Sequence, residues 1–234
     1  GGVDDAWTTR CYGRVPSRER AGLAAAHMAA PAGANAPPPV RIAAHTGRRP
    51  GPLRGAPDDP DPRVAAVTQG TAEIRVLPSL AGVAAADWDA LHDGANPLVA
   101  HAFLSGLELH GCLREDWGWT PRHLTLWRDG TLVAAAPAYA KTNSHGEFVF
   151  DHAWARAYAQ YGRDYFPKLL CAVPYSPVTG PRLLGSNTHD RRALADALQA
   201  LTRAAGWSSA HVNFHTSAEG DAFDADWLAR IDVQ

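Results

Sequence analysis

The stretch Arg122-His-Leu-Thr-Leu-Trp-Arg-Asp-Gly-Thr-Leu-Val-Ala-Ala-Ala-Pro-Ala-Tyr-Ala-Lys141 decides the fold. Leu124 and Leu126 alternate with His123, Thr125 and Trp127, so Arg122–Arg128 is a strand with an aliphatic face. Asp129-Gly130 then supplies a type I′ turn, which needs positive φ at both central residues. The return strand runs from Thr131 to about Lys141, and Pro137, which has no N–H for a ladder, puts an edge or a bulge inside it. The middle of the chain is therefore an antiparallel hairpin.

Toward the N-terminus, Glu73–Leu77 alternates and reads as another strand, ended by Pro78. Asp87 is suited to cap a helix through Trp88 and Leu91. Asn96-Pro97 opens a second helix, with Ala100, Phe103, Leu104 and Leu107 at i, i+3, i+4, i+7 and Gly111 as its stop. Toward the C-terminus, Gly146–Asp151 is expected to continue the sheet. Ala153–Tyr161 reads as an aromatic helix ended by Gly162, and Lys168–Val173 as a buried apolar strand. A Pro- and Gly-rich loop, Pro174–Gly185, precedes a helix capped by Asn187 or Thr188, with Ala193, Leu194, Ala197, Leu198 and Leu201 on its apolar face. His211–Phe214 is a strand, Ser217 starts a helix through Phe223, Trp227 and Leu228, and Ile231 and Val233 open one more strand.

Composition divides the chain. Ala, Gly, Arg and Pro make up 43 of residues 1–70, which carry only two of the chain's 20 aromatics, Trp7 and Tyr12. Such a segment buries too little to offset its ordering entropy, so 1–70 is expected to be a disordered tail and 71–234 the folded part. The folded part is mildly acidic, 13 basic against 18 acidic residues, which argues against DNA or other polyphosphate as a partner. Three cysteines are too few for a disulfide scaffold and point to a reducing, cytoplasmic setting. The longest apolar run, around Leu132–Ala136, is too short to span a membrane.

Several motifs fail on inspection. Gly180-Pro-Arg-Leu-Leu-Gly185-Ser186 has P-loop glycine spacing without the lysine that reaches the phosphates. His211 and His215 fall on one side of a strand with Asn213, but no carboxylate or thiolate at suitable spacing completes a metal site, and none is expected. Cys171 lies in an apolar strand and reads as an inert core thiol.

The element order is strand, two helices, a hairpin, more sheet, an apolar strand, a long helix, a strand and a helix, which is the order of the GNAT acyltransferase fold up to its sixth strand. The sequence also resembles the FemAB-like predicted N-acyltransferases, a bacterial family associated with peptidoglycan biosynthesis. Six blocks carry the resemblance: Asn96-Pro-Leu-Val-Ala-His-Ala-Phe-Leu-Ser105, Gly118-Trp-Thr-Pro-Arg-His123, Leu132-Val-Ala-Ala-Ala-Pro-Ala-Tyr139, Gly146-Glu-Phe-Val-Phe-Asp151, Tyr165-Phe-Pro-Lys-Leu-Leu170 and Val173-Pro-Tyr-Ser-Pro-Val-Thr-Gly-Pro-Arg-Leu183. The resemblance spans about residues 72–234. It implies an α/β (α+β) domain of GNAT type, a central mixed sheet flanked by helices with the last strands missing. Family members look like two such halves in tandem, so 71–234 is expected to be the first half of a C-terminally truncated member.

The resemblance further implies transfer of an acyl or aminoacyl group from an activated small-molecule donor to an amine. Acyl-CoA is one donor; the Fem-type relatives take aminoacyl-tRNA instead. A non-catalytic half-domain or interaction module is the alternative. N-acylation needs a base for the amine and donors for the developing oxyanion. Glu147 and Asp151 are the candidate bases, and Tyr175 can protonate a leaving group. In the GNAT fold the donor's pyrophosphate sits on the loop before the helix after strand four. Here that is the loop holding Ser176, Thr179, Gly180 and Arg182, where Gly180 permits close backbone approach and Arg182 can pair with an anion. The usual Q/R-x-x-G-x-G/A fingerprint is missing there, so the donor stays open. Trp154, Tyr158 and Tyr161 can line an acceptor groove, although core packing is the expected use of three aromatics at helical spacing. Lys141 and Lys168, the only lysines, read as strand-end side chains that snorkel to solvent or bind phosphate.

Overall fold

The computed structural model describes residues 7–13, 40–43, 72–149 and 151–233. Its strands are β1 (Trp7–Gly13), β2 (Val40–Ala43), β3 (Ala72–Leu77), β4 (Trp119–Pro121), β5 (His123–Arg128), β6 (Thr131–Ala136), β7 (Ala138–Lys141), β8 (Lys168–Cys171), β9 (Leu184–Gly185), β10 (Ala210–His215) and β11 (Trp227–Val233). Its helices are α1 (Ala85–Asp89), α2 (His101–Leu109), α3 (His152–Gln160) and α4 (Thr188–Ala204). The expected tail falls largely outside the described residues. Within it β1 and β2 are strands, pairing with β10 and β11 and with β3 respectively.

The class is mixed α/β, with two sheets where the sequence suggests one. The six-stranded sheet has the order β11-β1-β10-β8-β7-β4 and the five-stranded sheet β2-β3-β5-β6-β9. Pro137 is the reason for the division. β6 pairs with β5 on one side of it and β7 with β8 on the other, so one long strand changes sheets at the residue that cannot donate to a ladder. The turn before it is as expected: Asp129 and Gly130 have φ of 50° and 80°. Most of the pairing is antiparallel, but β8 and β10 run parallel.

α4 spans both sheets. Its Leu194, Ala195, Ala197 and Leu198 pack with Ile74, Leu124, Leu126, Ala134 and Ala136 of one sheet and Ala138, Leu169, Cys171, Ala210 and Val212 of the other. The amphipathic period read from 193–201 is thus the central packing surface, and each large aliphatic buried there contributes about 1.5–3 kcal/mol. The Asn187 carboxamide oxygen caps α4 by accepting from the N–H of Asp190 at 2.8 Å. The other face of the five-stranded sheet packs on α1 and α2 through Leu132, Ala135, Trp88 and Leu104.

Four local expectations change. α1 starts at Ala85, so Asp87 lies inside its first turn instead of capping it. Asn96-Pro97 opens a short 3₁₀ turn, Pro97–Val99, and α2 begins after Ala100. Gly146–Val149 and Asp151 are loop and not sheet, with positive φ at Gly146 and Phe148, and Phe150 lies outside the described residues. The last helix is a short 3₁₀ segment, Ser217–Ala222, and Trp227 and Leu228 belong to β11. Among the described residues no helix is long and apolar enough to cross a membrane.

Candidate functional site

Strand alternation sorts the six-stranded sheet into two faces. One meets α4. The other carries Tyr139 and Lys141 on β7, Lys168 and Leu170 on β8, and His211 and Asn213 on β10, with Lys141 opposite Lys168 and Tyr139 opposite Leu170. Trp119, Tyr139, Leu170 and Ala172 form a small apolar cluster there, and the rest is polar and buried.

Its centre is an ionic cluster. Lys168 Nζ lies 2.6 Å from Asp151 Oδ2 and 2.7 Å from Glu147 Oε2, and all three side chains are essentially inaccessible. Lys141 is equally buried; its ammonium donates to the carbonyl of His145 at 3.0 Å and stands 3.8 Å from the centre of the Trp119 ring. The two lysines therefore neither snorkel nor face solvent. A buried cation survives only when paired or hydrogen-bonded, and the 142–151 loop is folded over the strand ends so that its carboxylates and carbonyls reach them.

The two carboxylates differ. Asp151 is saturated: Ser144 donates to Oδ1 at 2.6 Å, and Tyr165 and Lys168 donate to Oδ2 at 2.8 and 2.6 Å. Burial pushes its carboxyl up, but Lys168, Ser144 and Tyr165 together outweigh it and hold the group below its ordinary value. Glu147 is held by Lys168 through Oε2 at 2.7 Å, and its Oε1 has no hydrogen-bond partner among the described residues. Burial lifts its carboxyl above the ordinary value despite the charge of Lys168. Two carboxylates four residues apart are thus pushed in opposite directions. Lys141 is driven down to about 8, first by burial and then by Lys168, against the pull of Glu147. His211 lies at the margin, with its Nε2 2.7 Å from Ser209 Oγ and its ring packed edge-on to Tyr165; burial and then Lys168 keep its pKa low.

The expected ligand loop lies at the opposite, C-terminal end of the parallel pair β8/β10. Tyr175 begins it with φ of 58°, donates its hydroxyl to the carbonyl of Cys112 at 2.8 Å, and lays its ring where a side chain on Gly146 would be. It therefore braces the loop that carries Glu147. Arg182 is fully buried and donates to three backbone carbonyls, those of Asn213, Pro181 and Val178. Glu219 holds the backbone N–H groups of Arg182 and Leu183 at 2.8 and 2.6 Å. This arrangement makes Arg182 a strut of the loop. The backbone at Gly180 is closely approached by the Asn96 side chain. Thr179 is exposed, and Ser176 Oγ accepts from the N–H of Val178 at 3.3 Å.

Glu147, Asp151 and Tyr175 are thus brought into one neighbourhood, and Ser176, Thr179, Gly180 and Arg182 into another. The aromatics of α3 do not pack in the core: Trp154 is 50% and Tyr161 82% exposed, and only Tyr158 turns inward, edge-on to Tyr165. His211 and His215 part company, because positive φ at Phe214 breaks the alternation and His215 packs on Phe223. Among the described residues no group of three or more His, Cys, Asp or Glu is placed to hold a metal ion. Tyr165 and Ser144 escape sequence reading as site residues, and Lys168 reads there only as a snorkelling or phosphate-binding side chain. The signal for the lysines is that they number two beside 20 arginines, both at strand ends.

A family model matches residues 79–234, that of the FemAB-like family, described as peptidoglycan biosynthesis/recognition. The match covers more than half of the chain, and the chain belongs to that family. No curated protein and no solved structure matches it.

Proposed function

We propose that the chain is an N-acyltransferase of peptidoglycan or cell-envelope metabolism, moving an acyl or aminoacyl group from an activated donor to an amine. Membership of the FemAB-like family carries this reading. The parallel pair β8/β10 inside an otherwise largely antiparallel array, with α4 entered from the loop before it, supports a GNAT-type scaffold.

In this reading Glu147 is the general base. Its Oε1 has no hydrogen-bond partner among the described residues, its Oε2 stands 2.7 Å from the Lys168 ammonium, and its carboxyl is raised above the ordinary value, the direction that favours proton transfer near neutrality. It takes a proton from the acceptor amine as the nitrogen attacks the donor carbonyl. The new C–N bond forms, the ester or thioester bond breaks, and the proton passes to the leaving oxygen or sulfur. Asp151 and Lys168 position Glu147, and Tyr175 holds its loop. The exposed part of the 176–179 loop is where the donor enters, aminoacyl-tRNA being the donor of the Fem-type resemblance and acyl-CoA the alternative.

The test is transfer of a labelled group from aminoacyl-tRNA or acetyl-CoA to a peptidoglycan stem peptide with a free side-chain amine, read by mass. Glu147→Gln should lower turnover about 100-fold or more, the range of a lost general base, with the thermal midpoint retained. Absence of transfer from both donors, or full activity in the variant, overturns the reading.

A further inference from the structure

A second polar feature of the same sheet face is not used by this chemistry. Asn213 is fully buried on β10, and neither its carboxamide oxygen nor its nitrogen has a hydrogen-bond partner among the described residues. The Tyr139 hydroxyl on β7, also fully buried, has none either. A buried polar group without a partner costs roughly 1–3 kcal/mol, so three such atoms on one face call for an occupant. Register puts Asn213 one step beyond the His211–Leu170–Tyr139 row, at the C-terminal end of the parallel strands. Ligands of parallel α/β sheets bind at that end.

The surroundings hold Asn213 in place. Arg182 Nε donates to its carbonyl at 3.0 Å, and Gly180 N–H donates to the carbonyl of Phe214 at 3.0 Å. Tyr175, in the loop after β8, and Phe214, next to Asn213 in β10, both have φ of 58°, a conformation rare for residues with side chains that gathers at ligand sites. An open carboxamide offers one donor and one acceptor side by side, and its complement is another amide; a phenol adds one more donor or acceptor. Apolar Leu170 and Ala172 line the ground between.

We infer that Asn213 and Tyr139 form a binding subsite for an amide-bearing ligand, with Asn213 pairing to a secondary amide of the ligand and Tyr139 to a neighbouring polar atom. Two sources carry that chemistry, the peptide stem of a peptidoglycan precursor and the pantetheine arm of coenzyme A. The choice of these probes rests on the transferase reading, but binding is measured without turnover, so failure of transfer and failure of this subsite are separate results.

The experiment is calorimetric titration of the full chain with a stem pentapeptide and, separately, with coenzyme A, repeated on Asn213→Leu and on Tyr139→Phe. The expected result is that one probe binds, that Asn213→Leu weakens it about tenfold or more and that Tyr139→Phe weakens it about threefold to tenfold, as the loss of buried hydrogen bonds requires. The probe that binds names the source. Tyr139→Phe removes one oxygen and keeps the packing, so it decides the matter if Asn213→Leu does not fold. Binding unchanged in Tyr139→Phe, or in a folded Asn213→Leu, overturns the inference. So does failure of both probes to bind the parent chain.

Discussion

Replacing Lys141 by Met tests whether the buried lysine is a strained cation. Lys141 is wholly buried, with one hydrogen bond to the His145 carbonyl and the Trp119 ring below it. Burial, aided by Lys168, drives its pKa from 10.5 to about 8. Between those values the unfolded chain binds more protons than the folded one, so this residue's contribution to stability rises with pH across that window. Integrating from pH 7 to pH 10 gives about 2.5 kcal/mol, since each pKa unit is worth about 1.4 kcal/mol and the upper limit of the window is not reached. Other titrations are common to parent and variant and cancel in the difference. Guanidinium unfolding of the full chain and of Lys141→Met, followed by circular dichroism at pH 7 and pH 10, measures that difference. The stability of the variant relative to the parent should fall by about 2.5 kcal/mol between the two pH values. A difference that stays constant, or that moves the other way, refutes the placement of a depressed lysine under the 142–151 loop.

Asp151→Asn breaks a buried ion pair and two further hydrogen bonds, and should destabilise by about 3–5 kcal/mol in urea unfolding at pH 7. Because the Asp151 carboxyl is held below its ordinary value, its contribution is present above the unfolded pKa and lost as pH falls through the folded one, so parent and variant should converge in acid. Arg182→Met leaves three backbone carbonyls without their donor and should lower stability by about 2–4 kcal/mol; a variant of parental stability that binds donor poorly would make Arg182 a ligand contact instead. Gly146→Ala places a methyl 2.5 Å from the Tyr175 ring on a backbone with φ of 74°. It should cost about 1–3 kcal/mol and reduce transfer, both read on one preparation.

The hairpin, α4 and a strand over His211–Phe214, which the structure extends to Ala210–His215, were legible in the sequence because each is specified locally. Asp129-Gly130 dictates its own turn, and 193–201 carries a helical period that needs no partner to be recognised. Family membership was legible as well, since the blocks between Asn96 and Leu183 keep their order whatever the tertiary contacts are. Glu147 and Asp151 could be singled out as carboxylates and Tyr175 as a proton donor, but the two carboxylates could not be told apart.

Those roles belong to the tertiary structure. Asp151 and Glu147 are chemically similar and four residues apart and share Lys168, and only the arrival of Tyr165 and Ser144 makes one a saturated anchor while the other keeps an oxygen without a partner among the described residues. Arg182 reads as an anion ligand in a Pro-Gly loop until the backbone carbonyls of three residues, one from β10, are seen around its guanidinium. The aromatic spacing of α3 looks like a core face, yet Trp154 and Tyr161 stay exposed and only Tyr158 finds an aromatic neighbour, Tyr165. Local pattern sets the period of an element. Which face is buried, and in what charge environment, is set by segments far away in the chain, because burial and Coulomb energy depend on distance in space and not on separation in sequence.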